Sequence, residues 1–173
     1  EICYSSYCGD VAPALLVLNA AIIVQGKDNA REIPLHTLFS GNGKTPLNLE
    51  EGEILTEIII PGKAKDGFST YLKAANRESI DFPIVGTAFR ASVEKKEYRV
   101  AFTAVDRKPL RGSSVEDFLK GKDLSEELLE EASQIASKEA SPLKTSTYSP
   151  SYKRRMMGLL LRSAIRKDMG REK

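Results

Sequence analysis

With 173 residues, 41% of them hydrophobic, the chain can bury a proper core in one domain or two small ones. A formal net charge of +2 gives no global field for nucleic acid. The longest apolar stretch, Ala12–Val24, is broken by Asn19, so no membrane span is expected, and no signal-peptide pattern stands out.

The chain opens at Glu1 rather than Met, which reads as a fragment or a processed piece. Cys3 and Cys8 are too few for a disulfide scaffold. They leave three readings open: one bridge, two free thiols in a reducing compartment, or part of a metal-ligand set completed elsewhere. Asp10 is a natural N-cap, with Pro13 in the first turn, for a short helix through Leu18 that Asn19 ends. Ala20–Val24 and Arg31–Leu35 read as a hairpin around Gly26-Lys27-Asp28-Asn29. Thr37-Leu38-Phe39 is a short helical turn. Gly41-Asn42-Gly43-Lys44 matches G-x-G-K but lacks the strand and spacing of a phosphate loop.

Glu53–Pro83 organises the chain. Ile54, Leu55, Ile58, Ile59 and Ile60, stopped by Pro61-Gly62, have the look of a buried strand. After a polar loop, period-two alternation puts Phe68, Thr70 and Leu72 on one face and Tyr71 and Lys73 on the other. A lysine inside such a strand is either a snorkelling side chain or a cation placed beside an anionic or redox-active ligand.

Phe68–Ala75, Ile84–Val93 and Tyr98–Val105 suggest a three-stranded antiparallel sheet. Ser114 is a candidate cap for a short helix closed by Gly121. Asp123-x-x-Glu126 resembles a capping box before a helix with an apolar stripe of Leu124, Leu128, Leu129, Ala132, Ile135 and Ala136. Ser149-Pro150 caps the last helix. Tyr152, Met156, Leu159, Leu160 and Ser163 are expected on its buried face, and Lys153, Arg154, Arg155, Arg162, Arg166 and Lys167 on the rest. The acidic helix Glu126–Glu131 is a nearer partner for that basic helix than nucleic acid. His36 is the only histidine and has no nucleophile motif beside it, which leaves a stand-alone hydrolase or transferase little support. The fold class is α+β, with residues 1–62 and 66–173 as two parts.

Three segments together resemble the flavin-binding (medium) subunit of the molybdenum hydroxylases. Gly9-Asp10-Val11-Ala12-Pro13-Ala14-Leu15 is similar to S/G-D-x-A-P-A-L. Gly52-Glu53-Ile54-Leu55 through Ile60-Pro61, then Phe68 to Arg77, is similar to G-E-I-L…I-x-I-P…F-x-K-x-x-x-R. Ser149 to Arg155 is similar to S-x-x-Y-R-R. The resemblance implies the end of a vanillyl-alcohol-oxidase-type FAD subdomain, then a three-stranded antiparallel sheet with a helical bundle. It implies FAD contacts at Asp10, Leu55 and Lys73, with Lys73 favouring the reduced anionic flavin.

It further implies molybdopterin and [2Fe–2S] clusters on partner subunits, and a cytoplasmic chain that is not catalytic alone. The glycine-rich pyrophosphate loops of the family are absent from these residues. FAD would therefore be shared with an N-terminal segment or chain. Hydroxybenzoyl-CoA reductase-like relatives carry a [4Fe–4S] loop upstream of the first helix, so Cys3 is either a leftover ligand or a plain thiol. The competing expectation is a subunit-docking module that has lost flavin binding.

Overall fold

The computed structural model describes residues 5–92, 94–144 and 147–170; Cys3 lies outside them. Among the described residues, two antiparallel sheets and four helices are stacked so that the larger sheet is covered on both faces. Helix α1 (Val11–Val17) comes first and ends at Asn19, whose φ of 54° turns the chain sharply. Strands β1 (Ala21–Gln25) and β2 (Ala30–Pro34) make the expected hairpin, and a 3₁₀ turn (Leu35–Leu38) follows. Strand β3 (Ile54–Ile59) pairs antiparallel with the other side of β1, giving a sheet in the order β2-β1-β3.

Strand β3 is not buried as its composition suggested. It is an edge strand, and Leu55, Ile58 and Ile60 are 39%, 47% and 52% exposed. Pairing explains the pattern. Leu55 sits opposite Val24 and Ile58 opposite Ile22, and opposed residues share a face. Val24 and Ile22 are fully buried under α1 and the larger sheet, so the same core face runs on into β3 and stays open there.

The expected three antiparallel strands are β4 (Phe68–Ala74), β5 (Val85–Ser92) and β6 (Glu97–Thr103), and a two-residue strand β7 (Leu110–Arg111) extends them. One face of this sheet, through Val85, Phe89, Val100 and Phe102, packs on the helices. The other meets α1 and the small sheet through Ala88 and Ala101, whose small side chains let the layers approach. Helix α2 is Ser113–Leu119, α3 is Glu126–Ala136 and α4 is Pro150–Met169.

The caps correct two expectations and bear out a third. Gly112, not Ser114, precedes α2, and the Ser114 amide donates instead to Glu139 Oε1 at 3.2 Å. Ser125 caps α3 by accepting from the Leu128 amide, while Asp123 pairs instead with Lys96. Ser149 caps α4 as expected, accepting from the Tyr152 amide with Pro150 behind it. The stripe on α3 holds, with Leu129, Ala132 and Ala136 buried. The face of α4 is shifted by one residue. Lys153, Met157, Leu161, Ala164 and Ile165 are buried, whereas Tyr152 and Leu159 are exposed. Helices α3 and α4 close on each other at Gly158, where an added Cβ would strike the Ser133 carbonyl. Arg166 with Glu126 and Arg162 with Glu130 bridge the same pair.

Two measurements check this packing. Leu129 is fully buried and Leu128 only partly. Leu129→Ala should therefore lower unfolding stability by roughly 2–5 kcal/mol, and Leu128→Ala by clearly less. Arg31 donates two hydrogen bonds to Glu53 and holds its carboxyl down from 4.5 to about 2. A depressed carboxyl stabilises the fold above 4.5, and that contribution fades as pH falls towards 2. Arg31→Gln should flatten the acid limb of stability in that window, read by denaturant melts across pH.

Candidate functional site

The structure brings Asp10 and Lys73 together. Asp10 precedes α1 in the capping position, but its side chain makes no cap bond. Its Oδ1 accepts from the Tyr71 hydroxyl at 2.6 Å, and its Oδ2 accepts from Lys73 Nζ at 2.7 Å. Tyr71 and Lys73 point to the same side of β4, as alternation requires, and that side faces α1. Burial, and then the hydrogen bond to Asp10, push the Tyr71 phenol well above its ordinary value, so it stays a donor. Beneath it lies Gly86, where an added Cβ would overlap the Tyr71 hydroxyl and lie 2.6 Å from Thr103 Cγ2.

Lys73 also donates to the Asp81 carbonyl at 2.9 Å, leaving one ammonium N–H without a protein acceptor among the described residues. Asp10 keeps a lone pair on each oxygen. The cluster thus retains both donor and acceptor capacity at a half-exposed position.

Asp81 joins the cluster to a cavity of about 660 Å³ whose walls include Ser6, Cys8, Asp81, Phe82, Tyr148 and Lys153. Arg77 holds the Asp81 carboxyl below the usual carboxylate range. Its Oδ1 accepts from the Phe82 amide, while its Oδ2 is buried with no partner. Ser6 Oγ is buried and unpartnered too. Tyr148 donates to Asn76 and stacks on Tyr152 at 5.2 Å. Phe82, in the loop between β4 and β5, is largely exposed.

Lys153 corrects the sequence reading most sharply. It is 4% exposed, not on a solvated basic face, and its Nζ donates to the Ala104 carbonyl at 2.8 Å. Burial lowers its pKa, against the opposing pull of Cys8. Cys8 is a free thiol that donates to the Ser6 carbonyl, and burial raises its pKa. The signal for Lys153 was present in the four-residue spacing of Lys153, Met157, Leu161 and Ile165. Leu55 is not drawn into the cluster. It stands on β3 of the other sheet, at the open end of the core face.

These residues form a half-exposed cation–carboxylate–phenol set beside a cavity with orphaned polar atoms. Such a donor set fits a polar heteroaromatic ligand and its hydroxylated arm. Comparisons with known proteins bear on the family of the chain. Residues 1–63 match the FAD binding domain in molybdopterin dehydrogenase, and residues 70–167 match the CO dehydrogenase flavoprotein C-terminal domain. The class is that of the molybdenum-hydroxylase flavoproteins, and through residues 70–167 the chain belongs to the CO dehydrogenase flavoprotein C-terminal domain family.

The chain is 27% identical over 160 residues to the glyceraldehyde dehydrogenase medium chain of Sulfolobus acidocaldarius, covering 91% of this chain and 56% of that one. It is 27% identical over 161 residues to the carbon monoxide dehydrogenase medium chain of Hydrogenophaga pseudoflava, covering 91% and 55%. A solved structure of carbon monoxide dehydrogenase from that organism, lacking the Mo-pyranopterin moiety, superposes with a TM-score of 0.82 at 26% identity, over 94% of this chain and 60% of that one. The chain thus spans little more than half the length of these relatives.

The two Asp10 contacts differ in strength. The partly buried Tyr71 bond should contribute at the lower end of roughly 1.5–3 kcal/mol, since its acceptor is charged. The more exposed Lys73 pair should contribute about 0.2–1 kcal/mol. Urea unfolding should rank Tyr71→Phe as more destabilising than Lys73→Ala; the opposite order would contradict this account of the cluster.

Proposed function

We propose that the chain is the C-terminal portion of the flavin subunit of a cytoplasmic molybdenum hydroxylase. In this reading it helps to hold FAD and to pass electrons between iron–sulfur clusters and an external acceptor. The observation that carries the proposal is the joining of Asp10, Tyr71 and Lys73 beside a cavity with unpartnered buried oxygens. The family match across both halves supports it.

Bound FAD would supply the redox chemistry; the protein's task is to bind, orient and tune it. Lys73 offers a fixed positive charge and a spare N–H, which favours the electron-rich state of a ligand held beside it. Asp10 offers acceptor lone pairs, and Tyr71 keeps that carboxylate in one orientation. Ser6 and Asp81 bring polar atoms that still need partners. Leu55 would cover an apolar part of the ligand from β3. None of these residues forms a glycine-rich diphosphate cradle, so a further FAD-binding segment or chain would complete the site. A molybdopterin chain and an iron–sulfur chain are the other proposed partners.

A docking role is the second reading, and the open core face of β3 favours it: Leu55, Ile58 and Ile60 offer an apolar edge to another polypeptide.

The test is made in a complete subunit that contains this chain. Lys73→Ala should lower retained FAD or shift its midpoint potential to lower values, while the circular dichroism spectrum is preserved. Unchanged flavin content and potential would remove Lys73 from the site. The 173-residue polypeptide alone should lose FAD during gel filtration; retained stoichiometric flavin would show that no other segment is needed.

A further inference from the structure

Arg90 on β5 and Arg99 on β6 stand directly opposite each other. They share the sheet face of Ala88 and Ala101, which is turned towards α1. Like charges in opposed positions repel across a strand pair. Arg90 is only 6% exposed. One of its terminal nitrogens donates to the carbonyls of Lys63, at 2.8 Å, and Asp66, at 2.7 Å. Its Nε is buried with no acceptor. Arg99 is half-buried and has no hydrogen-bond acceptor or ion pair among the described residues. Burial, Arg111 and Arg90 all lower its pKa, in that order, against weaker opposing pulls from Glu97 and Glu116.

Arg90 and Arg99 both line a cavity of about 160 Å³ between this sheet face, the end of α1 and the turn at Pro61–Ala64. Lys63 and Lys95 line it as well, so four cations there face two carboxylates, Asp66 and Glu97. Holding the Lys63–Asp66 turn accounts for one end of Arg90. It accounts neither for its buried Nε nor for the placing of Arg99 across from it.

We propose that this cavity is an oxyanion site that takes one tetrahedral phosphoryl group, either inorganic phosphate or the end of a phosphomonoester. The planar fork of a guanidinium matches such an oxyanion, and two forks side by side lose their mutual repulsion when an anion lies between them. The volume suits a single phosphoryl group with a few waters, each needing about 30 Å³. It is too small to enclose a drug-sized ligand, which needs roughly 300–1,000 Å³. The site is also separate from the Asp10 cluster. Lys73 lies opposite Gly86, and Arg90 is four residues further along β5, about 13 Å away along the strand.

Calorimetric titration of the full chain with potassium phosphate, against potassium chloride at matched ionic strength, tests the site. One saturable phosphate per chain is expected, together with a raised melting temperature that chloride does not give. Arg99→Gln should weaken phosphate binding at least tenfold. Arg99→Lys, which keeps the charge but loses the fork, should fall between that variant and the wild type. Lys27→Gln, on the exposed β1–β2 turn, should bind as the wild type does.

Phenyl phosphate provides the second arm. Binding comparable to that of inorganic phosphate identifies a phosphomonoester terminus as the ligand, and rejection of it identifies the free ion. Phosphate that binds Arg99→Gln and the wild type equally would overturn the proposal. So would a wild type that gains nothing from phosphate while Arg99→Gln melts higher than it does, for the paired arginines would then be plain repulsion.

Discussion

Asp10 ties the start of α1 to the large sheet with a single carboxylate. One oxygen takes the phenol of Tyr71 and the other the ammonium of Lys73, both from the first strand of the large sheet. A phenol half-buried between layers needs an acceptor, and an unpaired one would oppose the packing of α1 on that sheet. The contact depends on close approach. Gly86 leaves room for the Tyr71 ring, and Ala88 and Ala101 continue the thin part of the sheet beneath α1. The same carboxylate that joins the layers therefore fixes where the Lys73 charge stands, and structure and proposed function share one set of atoms.

A second chain of contacts carries the N-terminal segment to the cavity. Lys153 on α4 donates to the carbonyl of Ala104, a residue held at a φ of 66°. The Ala104 amide donates to the Tyr7 carbonyl, and the Tyr7 amide donates to the Asp106 carbonyl. Thr103 adds its hydroxyl to the same Tyr7 carbonyl. Residues 5–8 are thereby laid along the end of β6, which puts Ser6 and Cys8 on the cavity wall opposite Asp81 and Phe82. A buried ammonium with one carbonyl acceptor is a costly way to make that staple. Lys153 is also part of the cavity wall, so the staple and the cavity share a residue.

How much of this was legible in the sequence depended on which physical signal carried it. Alternation over Phe68–Lys73 assigned both faces of β4, because one face meets the helices and the other meets α1. Ser149-Pro150 and the acid–base pairing of α3 with α4 were read directly, since local chemistry decides them. The phase of α4 was misread because the run Lys153-Arg154-Arg155 looks uniformly solvated, although its first member falls on the apolar stripe. The sequence points to Asp123 as the cap of α3 and the structure uses Ser125, because both residue types cap well and only tertiary contact separates them; Lys96 takes Asp123. The meeting of Asp10 with Lys73 spans 63 positions, and no local pattern encodes it; only the family resemblance brought the two residues into view.

The isoleucine-rich strand shows where composition stops and topology begins. Ile54–Ile60 has the content of a central strand, yet β3 is an edge with its core face open. Hydrophobic content records that a face needs covering, not that this stretch of chain covers it. Val24 and Ile22 are sealed at their end of the cross-strand rows, and Leu55 and Ile58 are left bare at the other. A fold that leaves large apolar groups on an unpaired edge invites another strand or an apolar ligand. The chain spans little more than half the length of the relatives it matches. The open face of β3 is therefore the part of the small sheet that its own strands leave uncovered.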